Sequence, residues 1–344
     1  MTQAEIKPQF KIVHAEADVD AALPIERAIL AQMGGEIFCA ATTGEDPLVA
    51  LAHDADALLT EITPMTRSLL SRLPRCKVVV AYSIGLDHID TQAATDLGIV
   101  IAHTPGFCTE EVANHALLLV MASARRLLAL DSQLRSGWWP DALHLERDLT
   151  PMGSLYGETL GLLSFGSIAR SVAAKAQVFG MAVQAFDPYV SAETFQQHGV
   201  RACGFDELLE TSDYVSIHTP LTAQTKHLMA ENQLRRMKPS AFLINTSRGA
   251  IVDEAALVRA LQEKWIAGAA LDVFEREPLA PDHPLLSMRN VIVTPHVAYC
   301  SNGAYAKVRH MAAEEAARVL RGEWPLALAN PAVKGRSRME AQTA

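Results

Sequence analysis

The chain has only five cysteines, at positions 39, 76, 108, 203 and 300, with no C-x-x-C pair and no histidine neighbour at metal-ligand spacing. That scarcity argues against a disulfide framework or a structural zinc site, and the cysteines read as reduced thiols. No lysine/arginine run is longer than a pair such as Arg125-Arg126, and the net charge is −9. A nucleic-acid surface needs the opposite balance. The longest apolar run, Ala116 to Ala122, falls well short of the roughly 20 residues that span a bilayer. The start, Met1-Thr-Gln-Ala-Glu-Ile-Lys, is acidic and polar where a secretory signal needs a basic end and an apolar core, so a cytoplasmic protein is expected.

Against those absences, hydrophobic residues make up 49% of 344 positions, enough to fill two cores. Short apolar runs alternate with helix-length segments: Phe10 to His14, Ile37 to Ala40, Ala57 to Leu59, Lys77 to Tyr82 and Val100 to His103. Such spacing predicts parallel strands joined by crossover helices, an α/β domain. Thr109 reads as an N-cap followed by acidic Glu110 and Glu111, opening a helix expected to reach about Leu134. Trp138-Trp139 beyond it read as packing or a subunit contact. From 157 to 295 the alternation resumes, with six strands at the spacing of a doubly wound parallel sheet. An amphipathic helix over Ser301 to Arg321 follows, and the polar tail 331–344 is expected to be disordered.

At the centre lies a strand–turn–helix–strand unit. Thr159 to Leu163 enters a small-residue turn, a helix runs from Ile168 to Phe179, and Ala182 to Phe186 ends in Asp187. The dinucleotide pattern G-x-G-x-x-G/A appears as Ser164-Phe165-Gly166-Ser167-Ile168-Ala169, with serine in the first glycine's place. Gly166 permits close backbone approach to a pyrophosphate at the helix start. Ser164 implies either a turn that keeps φ negative or a bend tolerated at about 1 kcal/mol. Asp187, 21 residues after Gly166, is placed to accept the adenosine ribose hydroxyls and repel a 2′-phosphate, which favours NAD over NADP. The competing reading is a glycine-containing turn of any α/β protein.

Four stretches close later strands: Ser216-Ile-His-Thr-Pro-Leu-Thr, Asn245-Thr-Ser-Arg-Gly-Ala-Ile-Val-Asp, Leu271-Asp-Val-Phe-Glu-Arg-Glu-Pro and Thr294-Pro-His-Val-Ala. Jointly they resemble the D-2-hydroxyacid dehydrogenase family over about residues 55 to 325. Cys108-Thr-Glu-Glu-Val-Ala-Asn-His and Ile84-Gly-Leu-Asp-His-Ile-Asp are most similar to the branch related to C-terminal-binding proteins. The resemblance implies two Rossmann-like doubly wound parallel-sheet domains with a cleft between them. Residues 1–103 and 296–330 would bind substrate, 104–295 would bind NAD, hinge closure would expel water, and the chain would form a homodimer.

The same resemblance implies hydride transfer between NAD(H) and a small 2-keto or 2-hydroxy acid, with no metal. Arg248 would grip the carboxylate and polarise the ketone, His296 would act as general acid/base, and Glu277, rather than Glu275, would pair with His296 and raise its pKa. Cofactor contacts are implied at Thr109, Phe165, Gly166, Ser167, Ile168, Asp187, His218, Thr219, Thr225, Thr246, Ser247, Asp272 and Ala298, with Asp272 at the nicotinamide carboxamide. The Ser83-Ile84-Gly85 turn, with Tyr82 before it, would meet the substrate carboxylate through backbone amides, and the side chains there would choose the substrate, Tyr82 with Ile84 suggesting something small and partly apolar. Cys108 and Asn114 depart from residues that many members carry, which leaves the particular acid open. The alternatives are an NAD(H)-sensing binding protein and a formate or phosphonate dehydrogenase; Glu277 counts against formate.

Overall fold

The computed structural model describes residues 9–16, 22–41, 43–141 and 152–339. The chain divides into two compact units, 1–107 with 301–344, and 108–300. These divisions fall a few residues beyond the motif-based positions 103/104 and 295/296. His296 therefore belongs to the second unit, where its backbone N–H donates to Asp272 O at 2.8 Å.

In the first unit, β1 (Phe10–His14), β2 (Gly35–Cys39), β3 (Ala57–Thr60), β4 (Val78–Ala81) and β5 (Val100–Ala102) form a parallel sheet in the order β2-β1-β3-β4-β5. Every residue of β3, β4 and β5 is buried, as a parallel sheet covered on both faces requires. The helix Asn302–Leu320 lies against these three strands, its start capped by Ser301 Oγ, which accepts the Ala304 N–H.

The expected disorder of 331–344 is corrected as far as residue 339. Asn330 donates from its amide to Ile99 O and accepts from Ile101 N–H. The Arg338 guanidinium donates to Leu73 O at 2.6 Å and Cys76 O at 3.0 Å. Polar residues that composition assigns to solvent satisfy buried backbone carbonyls instead. Residues 340–344 lie outside the described residues.

In the second unit, β6 (Thr159–Leu163), β7 (Ala182–Phe186), β8 (Arg201–Ala202), β9 (Tyr214–Ile217), β10 (Phe242–Asn245), β11 (Gly268–Leu271) and β12 (Val291–Val293) are all parallel, in the order β12-β11-β10-β9-β6-β7-β8. The unforeseen β8 is a two-residue, exposed edge strand with no apolar run to announce it. Strand order reverses between β6 and β9, and ligands bind at the carboxyl edge of such a switch point.

The long helix expected from Thr109 to about Leu134 is two helices, Thr109–Ala124 and Leu127–Arg135, bent by 59°. Arg126 adopts the left-handed conformation (φ 49°) between them and interrupts the ladder. Thr109 is the first helical residue, and Cys108 holds the N-cap position without a side-chain capping bond, which corrects the N-cap assignment by one residue. The second helix buries none of its residues, and Trp139 is 78% exposed, so Trp139 does not pack within the chain.

Candidate active site

The turn after β6 fits a dinucleotide for reasons internal to the chain. Gly166 has ordinary extended backbone (φ −74°, ψ −170°), and a Cβ added there would meet no atom within 4 Å. Neither conformation nor packing demands glycine, so the bare backbone leaves room for something outside the chain. Phe165 is fully buried beneath the turn, while Ser167 and Ile168 open the helix Ser167–Val178, whose N-terminus carries no side-chain cap. That is a ready anion site. Ser164 has φ 80°, so serine does accept the left-handed bend, at about 1 kcal/mol. Its Oγ donates to Asp187 Oδ2 at 2.9 Å, as does the Phe165 N–H, and the Tyr189 N–H donates to Asp187 Oδ1.

Around the switch point, hydroxyls are mostly committed. Thr219 Oγ1 donates to Leu163 O, Ser247 Oγ to Ile217 O and Thr225 Oγ1 to Pro220 O, so each can only accept from a further ligand. Thr246 differs: its buried Oγ1 has no partner, an orphaned group that a bound cofactor can satisfy. His218 Nε2 lies 2.9 Å from Ser216 Oγ, and burial pushes this imidazole down to a pKa of about 4, leaving it neutral at pH 7.

The reactive side chains meet at the ends of β10, β11 and β12. Imidazole Nδ1–H of His296 donates to Glu277 Oε2 at 2.7 Å, and Glu277 Oε1 accepts the Phe274 N–H. Burial pushes the Glu277 carboxyl up, but the His296 hydrogen bond, the Phe274 amide and the nearby charges of His296 and Arg248 outweigh it and hold the carboxyl below its usual range. Glu275, the competitor, pairs with His227 Nε2 at 2.7 Å instead.

Arg248 is brought beside this pair by its neighbour. A Cβ on Gly249 would sit 1.8 Å from Phe274 C and 1.9 Å from Phe274 O, so only glycine lets the two loops abut. The Arg248 loop is pinned by Asn245, whose Nδ2 donates to Arg248 O and whose Oδ1 accepts the Ser247 N–H.

Asp272 is completely buried. Its Oδ1 accepts from Thr294 Oγ1 (2.5 Å) and the Val297 N–H, and Oδ2 accepts the Ala298 N–H. This carboxylate holds the loop 294–298, and with it His296 in its left-handed conformation (φ 53°). Sequence reasoning missed His115, whose Nε2 lies 3.1 Å from Thr294 Oγ1. The available signal was its spacing on the helix, three residues after buried Val112 and four before buried Leu119. Thr109 lies at the start of that helix, half-buried.

In the first unit, Ser83 Oγ donates to Gly85 O at 2.6 Å and His103 Nδ1–H to Ile84 O at 3.1 Å, making a tight turn with Ile84 37% exposed. Tyr82 does not share that exposure. It is 7% exposed and its hydroxyl donates inward to Glu26 Oε1, which corrects its reading as a substrate-selecting side chain.

Residues 117–298 match the family described as D-isomer specific 2-hydroxyacid dehydrogenase, NAD binding domain. A glyoxylate reductase of Korarchaeum cryptofilum is 42% identical over 288 residues, 83% of this chain and 86% of that protein. One of Aeropyrum pernix is 41% identical over 83% of this chain and 86% of that protein. The crystal structure of a glyoxylate reductase from Paecilomyes thermophila superimposes with a TM-score of 0.84 at 27% identity, over 94% of this chain and 98% of that one.

Proposed function

Because the chain belongs to the D-isomer specific 2-hydroxyacid dehydrogenase family, and is an NAD-dependent oxidoreductase acting on a CH–OH group, we propose that it interconverts glyoxylate, or a 2-keto acid of similar size, with its 2-hydroxy acid. The observation that carries this reading is the 2.7 Å His296–Glu277 pair within reach of the Arg248 charge. NADH, when bound, supplies the hydride to the carbonyl carbon. Arg248 grips the substrate carboxylate with its planar fork and polarises the ketone. Glu277 fixes the imidazole by its Nδ1–H, so Nε2 faces the substrate and delivers a proton to the carbonyl oxygen; in the reverse direction the same nitrogen withdraws it. Gly166, Ser167 and Ile168 receive the pyrophosphate, Asp187 the adenosine ribose, and Thr246 a further cofactor group.

A homodimer is part of this reading. Leu127, Leu128 and Leu134 are each more than half exposed on the helix that buries nothing in the chain, and Trp139 stands beyond them. Sedimentation at micromolar concentration tests it: a monomer at that concentration refutes this part.

The function itself is tested by incubating the purified chain with NADH and glyoxylate, hydroxypyruvate or pyruvate. His296→Ala is expected to lower kcat about 10²-fold or more with NADH affinity retained, and Arg248→Ala to weaken keto-acid binding as well as rate. Tight NADH binding with no oxidation on any of these acids refutes the dehydrogenase reading and leaves an NAD(H)-sensing protein.

A further inference from the structure

Ser164 stands where the dinucleotide pattern has a glycine, and the structure gives that departure chemical content. The serine keeps a left-handed φ of 80°, and its Oγ–H is committed to Asp187 Oδ2. The Phe165 N–H donates to the same oxygen and the Tyr189 N–H to Oδ1. A carboxylate has about four acceptor positions. Three are filled here from within the chain, and the one left is on Oδ1. A ribose presents two vicinal hydroxyls, so this carboxylate alone can serve one of them. Beside it is a second acceptor: Ser164 Oγ, whose single proton is already given away and whose two lone pairs can only accept.

We propose that Ser164 is a cofactor-specificity residue, its hydroxyl oxygen and Asp187 Oδ1 together accepting the two hydroxyls of an unphosphorylated ribose. A 2′-phosphate brings acceptors and negative charge to a site made of acceptors and negative charge. The depression of about 220 Å³ beside Asp187, lined by Phe186, Val190, Phe195 and Cys203 among others, has no lysine or arginine in its lining to receive one. The proposal rests on the assignment of Asp187 to the ribose, and the experiment separates the two.

Dissociation constants for NADH and NADPH are measured by fluorescence titration, with melting temperatures of the free protein, for Ser164→Ala, Ser164→Gly and Asp187→Asn. Ser164→Ala removes the acceptor and leaves the strained φ. The expected result is NADH binding weakened about tenfold, NADPH little changed, and a lower melting temperature. Ser164→Gly removes the same acceptor but relieves the backbone, so its NADH binding weakens as in Ser164→Ala while its melting temperature stays above that of Ser164→Ala. If Ser164→Ala leaves the NADH/NADPH ratio unchanged, whether or not the protein melts lower, the serine is merely structural and the proposal is overturned. An Asp187→Asn variant with an unchanged ratio overturns the ribose assignment itself, whatever Ser164 does.

Discussion

Two glycines in the second unit should respond in opposite ways to a single added methyl. At Gly249 the new Cβ would stand 1.8 Å from Phe274 C, so reaching ordinary contact requires the Arg248 loop and the Phe274–Glu275 backbone to part by about 1.5 Å. Overpacking of that kind costs about 1–3 kcal/mol, and a displacement of about 1 Å in a catalytic group costs on the order of 10²-fold in rate. Gly249→Ala should therefore melt lower and lose about 10²-fold in kcat/KM for the keto acid. Its NADH affinity should fall far less, because the pyrophosphate turn at 164–168 follows another strand and only the Thr246–Ser247 end of the cofactor site lies in the displaced loop. Gly166→Ala meets no atom within 4 Å and needs no unusual φ, so its melting temperature should barely move. Its NADH affinity should fall at least tenfold, about 1.4 kcal/mol, because the methyl occupies the ligand's space. Melting, NADH titration and steady-state kinetics on one preparation of each variant read all three quantities. A Gly249→Ala enzyme with parental kcat/KM, or a Gly166→Ala protein that binds NADH as the parent does, would refute the reasoning that connects these loops to the chemistry.

Two further outcomes follow from buried groups. Burial holds the His218 imidazole down at a pKa of about 4, against the ordinary 6.5 of the exposed side chain, so between those values the unfolded chain binds more protons and stability falls with falling pH. The loss approaches about 3 kcal/mol below pH 4; melting curves from pH 7 to 4 should be flatter for His218→Gln, and an equal slope would remove His218 as the source. Arg338→Ala should cost about 1–3 kcal/mol by stranding the Cys76 carbonyl and leaving Leu73 O with only the Cys76 N–H, and should open the chain after residue 330 to protease. Parental melting and protease resistance would show that the tail's packing contributes nothing.

Much of this protein was legible in order of occurrence. Parallel strands buried on both faces leave mostly apolar runs, so β3, β4 and β6 stand out in the chain at nearly their observed bounds. The residues that carry chemistry were legible through the family resemblance of four stretches that close strands, where an open sheet collects such groups. Less visible was anything set by a single backbone torsion or by a distant acceptor. The break at Arg126 is one left-handed residue with no glycine or proline to mark it. The packed tail depends on carbonyls some 260 positions away from Arg338.

Composition and periodicity determined the two parallel sheets and the dinucleotide turn, because burial on both faces and bends at strand ends constrain residue types locally, while the roles of Arg248, Glu277 and His296 came from the family resemblance of the strand-end stretches. Tertiary structure alone decided that Arg338 ties the tail to distant carbonyls, that Asp272 braces the 294–298 loop, and that Ser164 answers to Asp187. Those choices are hydrogen bonds between segments remote in the chain, and a donor's type does not say which of several acceptors the fold will bring to within 3 Å of it.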